Sequence, residues 1–341
     1  MSNGRTFRPH QGPRITIHAV AGLLAGVMAM TAPGSQALDI QGHRGARGLA
    51  PENTLPGFAK ALEIGVTTLE LDAAITRDGV VVVSHDSALN PDITRGPDGQ
   101  WLAQAGPPIW TLPYAALQRY DVGRLNPANP YARRWPEQRA ADGTPIPRLA
   151  DVFELVRKSG NATVRFNIET KISPLKPAET TGPEDFARRL IAAVRAAGME
   201  RRTTVQSFDW RTLAIVQKEA PEIPTVYLSS MAGSAANIHT DTDSPWTAGI
   251  RYRDHGSVPR MVKAAGGSAW SPNFSDLTRE AVREAQSLGL KVVPWTVNEP
   301  ADMRRLIEWG VDGVISDRPD RLRQIAAHAR IPLPAPTPVT P

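Results

Sequence analysis

The sequence predicts an α/β protein built as a TIM (β/α)8 barrel, with a β-hairpin after its second strand and an inserted cap subdomain. Three observations carry this prediction. Short β-branched apolar runs alternate with longer helical patterns. Eight such runs fall within about 300 residues, enough for one barrel. A ninth run, Val80–Ser84, follows the second after only Thr76-Arg77-Asp78-Gly79. A parallel crossover needs a dozen or more residues, so this run must return antiparallel.

The eight expected parallel strands are Leu38–His43, Thr67–Ala73, Thr163–Thr170, Thr203–Phe208, Thr225–Ser229, Ala269–Pro272, Lys291–Val297 and Gly313–Ser316. Helical patterns separate most of them, at Leu149–Lys158, Glu184–Ala197, Trp210–Glu219, Asp276–Leu288 and Ala301–Trp309. Asp78-Gly79 is a favoured two-residue hairpin turn. That turn sets Arg77 against Val80 and Asp72 opposite His85, beside Glu70. Two stretches exceed a minimal barrel. Ser87–Pro147, rich in Pro, Gly and aromatics, is too long for an ordinary loop and reads as a cap. Met231–Val258 is a second long connection. Both leave the C-terminal side of strands, where sites of this architecture are built.

The ends read differently. Arg5, Arg8 and Arg14 precede an apolar stretch, Ile15 to Met30, and a small-residue segment closes on Ser35-Gln36-Ala37. This is the layout of a cleaved signal peptide over 1–37, and the apolar part is short of the roughly 20 residues a membrane span needs. An exported protein, periplasmic or secreted, with no stable membrane anchor is expected. The barrel then occupies 38–330, with the insertion at 87–147. Residues 331–341 are Pro-rich and read as a disordered tail. Net charge is +5, but three basic residues and no acid lie in 1–37, which leaves +2 on the mature chain. That excludes an argument for nucleic acid. The absence of cysteine excludes thiolate metal sites and cysteine nucleophiles.

Glu70 and Asp72 lie two apart on a strand, so both carboxylates leave one face while Leu69, Leu71 and Ala73 form the other. A solvated strand face would need no more than this. In a dry barrel interior the two repel unless a cation lies between them. Glu169, within Asn167-Ile168-Glu169-Thr170-Lys171, supplies a third oxygen ligand, or else a structural ion pair with Lys171. Oxygen-only ligation points to one divalent cation, Ca²⁺ or Mg²⁺. His43 and His85 stand at strand ends. Each alone would suit a structural role, but together at one mouth they suit an acid–base pair. Arg44 can grip a phosphate through its planar fork. Asn53 opens a helix and is read first as its N-cap. Glu52 orders the histidines or lies near the metal. Gln206, Trp295 and Asp317 lie at later strand ends, where Phe208 and Trp295 also fit mouth packing.

The stretches HRGARGLAPENTLPGFAKAL (His43 to Leu62), LELDAAITRDGVVVVSHD (Leu69 to Asp86), IPRLADVFEL, FNIETK, QSFDW, VVPWTVN and DGVISDRPD occur in order over nearly the whole mature chain. Together they resemble the glycerophosphodiester phosphodiesterases. The resemblance implies a TIM barrel that hydrolyses glycerophosphodiesters, small-molecule substrates, to glycerol 3-phosphate and an alcohol with a divalent cation. By position it implies metal ligands at Glu70, Asp72 and Glu169, acid–base catalysis by His43 and His85, and phosphate contacts from Arg44 and Lys171. Trp295, at its strand end, is expected to line the substrate site. Related phospholipases D and C use a similar histidine pair, so a lyso- or intact phospholipid is the alternative substrate. It predicts an apolar rim on the Ser87–Pro147 cap. A non-catalytic binding module on the same barrel should have lost at least one of these residues, and none is lost here.

Overall fold

The computed structural model describes residues 1–12 and 37–341. The chain divides into two compact units, Met1–Gly34 and Ser35–Pro341. Residues 1–12 carry no helix or strand and are exposed. The predicted leader otherwise lies outside the described residues.

Nine strands form one sheet: β1 (Asp39–Gly42), β2 (Thr68–Ile75), β3 (Val81–Val83), β4 (Arg165–Thr170), β5 (Thr203–Ser207), β6 (Thr225–Ser229), β7 (Ala269–Pro272), β8 (Lys291–Val292) and β9 (Gly313–Ser316). Eight run parallel in the order β8-β7-β6-β5-β4-β2-β1-β9, and β3 pairs only with β2. The two ends of that path approach each other. The amides of Asp312 and Ile315 donate to the carbonyls of Val292 (2.9 Å) and Pro294 (3.0 Å), and the Val297 amide donates to the Ile315 carbonyl (3.0 Å). Pro294 has no N–H to give, which interrupts a regular ladder here. The result is a nearly closed (β/α)8 barrel, as the alternation of runs predicts.

Every residue of β2 is buried. Leu69, Leu71, Ala73 and Ile75 face outward into the main apolar cluster, with Leu149, Phe153 and Phe166. Glu70 and Asp72 therefore face the barrel axis, because side chains alternate along a strand. Parallel pairing sets Asp72 against Glu169 on β4, and Glu169 against Gln206 on β5.

The hairpin exists, but its register is one residue away from the expected one. Ala73 faces Val83 and Ile75 faces Val81. Ser84, not His85, is therefore opposite Asp72, and its amide donates to the Asp72 carbonyl (2.9 Å). The turn is longer than two residues. The Thr76 amide donates to Val80 O (3.0 Å) and the Gly79 amide to Thr76 O (2.9 Å), with Gly79 at φ +82° as the extra residue. A one-residue slip reverses the faces of a continuous strand. β3 ends at Val83, so His85 escapes that alternation.

The insertion builds short helical turns at Tyr114–Leu117 and Pro130–Arg133. Its Leu89, Ile109, Leu117, Val122 and Ile146 form a separate apolar cluster over Ala74 and Val82 of the hairpin, with Tyr114 and Tyr120 against it.

The segment 331–341 differs from its expected disorder. Ile331, Leu333 and Val339 pack against the main core. The Thr337 amide donates to Leu62 O (2.9 Å), Arg323 to Pro334 O (2.7 Å) and Lys158 to Thr340 O (2.8 Å). Proline cannot donate, but its carbonyl still accepts, and long basic side chains supply the donors. Composition reports the missing ladder and not these partners.

Candidate active site

The site begins at the end of β1. Gly42 is followed by His43, Arg44 at φ +51° and Gly45 at φ +89°. A Cβ on Gly45 would lie 2.6 Å from the backbone carbon of Gly57, so only glycine fits this crossing. The tight turn aims the Arg44 amide at Glu70 Oε2 (2.8 Å).

Glu70, Asp72 and Glu169 are buried, and each offers an oxygen within 4.8 Å of the others. Burial, then the charge of Asp72, pushes the Glu70 carboxyl well above its usual range. Burial and the Asp72 charge push Glu169 up to about 7 against the opposing pull of Lys171. Asp72 stays below the usual range, because Arg44, His85 and Lys171 outweigh its burial. Four buried carboxylates, these three and Glu52, meet two side-chain cations, Arg44 and Lys171. With all four ionised, one divalent cation would cancel the excess of two negative charges. An all-oxygen donor set suits a hard ion, so this acidic cluster fits a metal.

The cluster rests on a polar barrel interior. Gln206 donates to Glu70 Oε1 (2.7 Å), and Asn167 donates to the Gln206 side-chain oxygen (2.8 Å) and to that of Gln41 (3.0 Å). Gln206 thus orients an acid from beneath. Asn53 donates to Asp72 Oδ2 (2.8 Å). It is not the helix cap. Thr54 takes that place and accepts from the Gly57 amide (3.1 Å). Asn53 stands at φ +55°, and that turn aims its side chain at Asp72 instead. Glu52 contacts neither histidine among its hydrogen bonds. It accepts from Arg44 Nη1 (2.6 Å) and from the Tyr131 hydroxyl. Arg44 Nε lies 3.3 Å from Asp72 Oδ2, without the alignment of a hydrogen bond.

His43 and His85 sit in unlike surroundings. His43 Nδ1 lies 2.6 Å from Asp317 Oδ1, and its Nε2 is 3.9 Å from Glu70 Oε2. Asp317 also accepts from Arg47 Nε (2.7 Å) and Nη2 (3.1 Å) and from Asn298 (2.7 Å). A carboxylate at Nδ1 assigns the proton to that nitrogen and leaves Nε2 free. Burial lowers His43 to about 4, with Asp317 opposing and Arg47 and Arg44 assisting. His43 is therefore neutral near pH 7. Burial and the charges of Arg44 and Lys171 also lower His85, against Asp72 and Asp86. The His85 side chain remains 32% exposed, so water softens that push. Its Nδ1 is 3.0 Å from Asp86, which Asn90 holds in turn (2.7 Å).

His43, His85, Arg44, Glu70, Glu169 and Lys171 open on one cavity of about 680 Å³. Lys171 lies 2.8 Å from Glu169 and 6.0 Å above the Phe208 ring. Trp295 meets Phe208 edge to face at 5.3 Å and donates to Ser271 O (2.9 Å), so it both packs the mouth and lines the cavity. The insertion reaches the cavity through Ser87, Asn90, Tyr131 and Arg134, and the second long connection through Ser234, Ala235 and Trp246. The large apolar residues exposed among the described residues are Met1, Phe7, Leu175 and Met231, and none belongs to the insertion. The insertion's large aromatics Trp101, Trp110, Tyr114 and Trp135 are half-buried.

A sequence reading alone assigns no role to Arg47, Tyr131 or Asn298. Arg47 follows His43 by four residues, a weak signal. Tyr131 and Asn298 carry none, because their partners are remote in the chain.

Residues 43–321 match the model of the glycerophosphoryl diester phosphodiesterase family. The chain belongs to this family. It is similar to the glycerophosphodiester phosphodiesterase of Caldanaerobacter subterraneus subsp. tengcongensis, 29% identical over 82% of this chain and 94% of the relative. It is 28% identical to the Bacillus subtilis glycerophosphodiester phosphodiesterase over 83% of this chain and 84% of that one. A solved Silicibacter pomeroyi structure, a candidate member of the family, is 37% identical with a TM-score of 0.76, covering 86% of this chain and 94% of that one. A phosphodiesterase of Oleispira antarctica, solved with the product sn-glycerol-3-phosphate, shares the fold at a TM-score of 0.61 and 20% identity, over 85% of this chain and 97% of that one.

Proposed function

We propose that this glycerophosphodiester phosphodiesterase is a metal-dependent hydrolase that releases glycerol 3-phosphate and an alcohol through His43 and His85. The observation that carries the reading is the buried Glu70–Asp72–Glu169 cluster, with His43 Nε2 3.9 Å from Glu70 and Arg44 and Lys171 beside it. A Ca²⁺ or Mg²⁺ ion held by these carboxylates would supply charge neutralisation at the phosphate. Arg44, braced by Glu52, and Lys171 hold the remaining phosphate oxygens. His43, neutral and oriented by Asp317, takes the proton of the attacking oxygen: water gives glycerol 3-phosphate directly, whereas the neighbouring glycerol hydroxyl gives a cyclic phosphate that a second attack, by water, opens to glycerol 3-phosphate. That oxygen bonds to phosphorus as the phosphorus–alcohol bond breaks. His85, nearer solvent and flanked by Asp86, protonates the departing alcohol oxygen. Positioning and electrostatics supply most of the acceleration.

A panel of glycerophosphodiesters and lysophospholipids, each with Ca²⁺ and with Mg²⁺, tests the reading by product. Glycerol 3-phosphate from the diesters, abolished by chelation and by His43→Ala or His85→Ala, is expected. Turnover of lysophospholipids alone, or full activity without metal, refutes it. We propose export as well, supported by the Arg5–Ala37 pattern. An exported protein whose N-terminus begins at Leu38 is expected. Recovery of the uncleaved chain from the cytoplasm refutes it.

A further inference from the structure

The insertion contributes a residue that ties the two halves of the site together. We infer that Tyr131 is a positioning residue whose hydroxyl couples the His43–Asp317 pair to the phosphate-holding Arg44, an inference that rests on the acid–base reading above. The hydroxyl donates to Glu52 Oε2, and Glu52 Oε1 accepts from Arg44 Nη1 (2.6 Å). The same hydroxyl accepts from Arg47 Nη1 (3.1 Å). Arg47 in turn grips Asp317 through Nε (2.7 Å) and Nη2 (3.1 Å), and Asp317 meets His43 Nδ1 (2.6 Å). An unbroken polar chain therefore runs from His43 through Asp317, Arg47, Tyr131 and Glu52 to Arg44.

The segment around Tyr131 is seated on the 43–52 loop by more than this hydroxyl. The Trp135 ring lies against the Arg47 guanidinium at 4.7 Å and meets Tyr131 edge to face at 6.5 Å. Gln138 donates to Arg47 O (2.8 Å), and the Arg139 amide donates to Leu49 O (3.0 Å). These contacts hold the fold of the segment when the hydroxyl is removed. A guanidinium that loses one of its fixed partners gains freedom to rotate, and the carboxylate it grips moves with it. The 87–147 insertion then does more than shape the substrate entrance: it sets the angle at which base and phosphate-binding arginine face each other.

Tyr131→Phe keeps the ring and removes the hydroxyl. With the substrate that the wild type turns over fastest, kcat is expected to fall roughly ten- to a hundredfold, the scale of one lost hydrogen bond to charged groups. The thermal midpoint should stay near that of the wild type. The low-field proton resonance of His43 Nδ1 should shift or broaden, a change that a merely structural tyrosine would not cause. Arg47→Lys cuts the chain one link further on and should give the same two effects. The double variant should then lose little more than the worse single one. A variant with kcat within twofold and an unmoved His43 resonance overturns the inference. So does a rise in KM alone with that resonance unchanged, which would confine Tyr131 to Arg44. If Tyr131→Phe does not fold, Glu52→Gln decides by the His43 resonance, because Glu52 bonds Tyr131 and Arg44 and makes no hydrogen bond to Asp317 or His43. If the wild type hydrolyses no glycerophosphodiester, the proposed function fails, while the resonance still decides the coupling.

Discussion

Asp317→Asn is the substitution that most directly tests how His43 is oriented. The carboxylate accepts four hydrogen bonds: His43 Nδ1 and Arg47 Nε at Oδ1, Arg47 Nη2 and Asn298 at Oδ2. Whichever way the amide of Asn turns, its NH₂ group faces two donors. Facing Oδ1's partners, it donates to His43 Nδ1 and forces the proton onto Nε2, so the base loses its lone pair. In a triad-type site the wrong tautomer costs roughly 10⁴ in kcat, so a loss of roughly 10²–10⁴ is expected here. The change also leaves the buried Arg47 guanidinium without its carboxylate. Breaking a buried pair on one side costs about 3–5 kcal/mol. At about 2–4 °C per kcal/mol for a large domain, the thermal midpoint should fall by of order 10 °C. Steady-state kinetics of glycerol 3-phosphate release and a thermal melt read both effects. Raising the pH should not restore the rate. His43 sits at about 4 with Asp317 holding it up, so loss of Asp317 lowers it further and the ring is already deprotonated. A kcat within threefold of wild type, or full recovery at pH 9, would refute the argument, because protonation and not orientation would then be the limit.

Three further outcomes follow from the same geometry. Glu169 lies near 7 without metal and must ionise to bind one, so affinity for Mg²⁺ or Ca²⁺ should fall as pH drops below about 7. Calorimetry in two buffers of different ionisation enthalpy should detect proton release, and buffer-independent heats would count against the carboxylate site. Glu70→Gln removes one of three mutually repelling acids. Metal should then no longer raise the thermal midpoint, while the chelated protein should be at least as stable as chelated wild type; a metal-induced rise equal to that of wild type would contradict the assignment. Deleting 331–341 strips Ile331, Leu333 and Val339 from the core edge. At about 1 kcal/mol for each partly buried side chain, roughly 3 kcal/mol of stability should disappear in denaturant melts with kcat retained, and an unchanged midpoint would show the packed tail to be inconsequential.

Much of the site is local in origin, and that part is legible in the sequence. Glu70 and Asp72 share a face because strands alternate, and apolar Leu69 and Leu71 between them reveal which face is outward. The eight-strand count follows from the short link at Thr76–Gly79, which no parallel crossover can span. Local rules failed where one residue of turn length decided the answer. The extra residue at Gly79 moved Ser84 opposite Asp72, and the left-handed turn at Asn53 sent its side chain to Asp72 while Thr54 capped the helix. What only the tertiary structure decided are contacts between residues far apart in the chain: Glu169 set beside Asp72 by the β2–β4 register, Asp317 brought to His43 where β9 meets β1, and Tyr131 lowered from the insertion onto Arg47 and Glu52. Spacing along the chain carries no information about such pairs, because strand register, barrel closure and the seating of the insertion bring them together, and each depends on the packing of the whole fold.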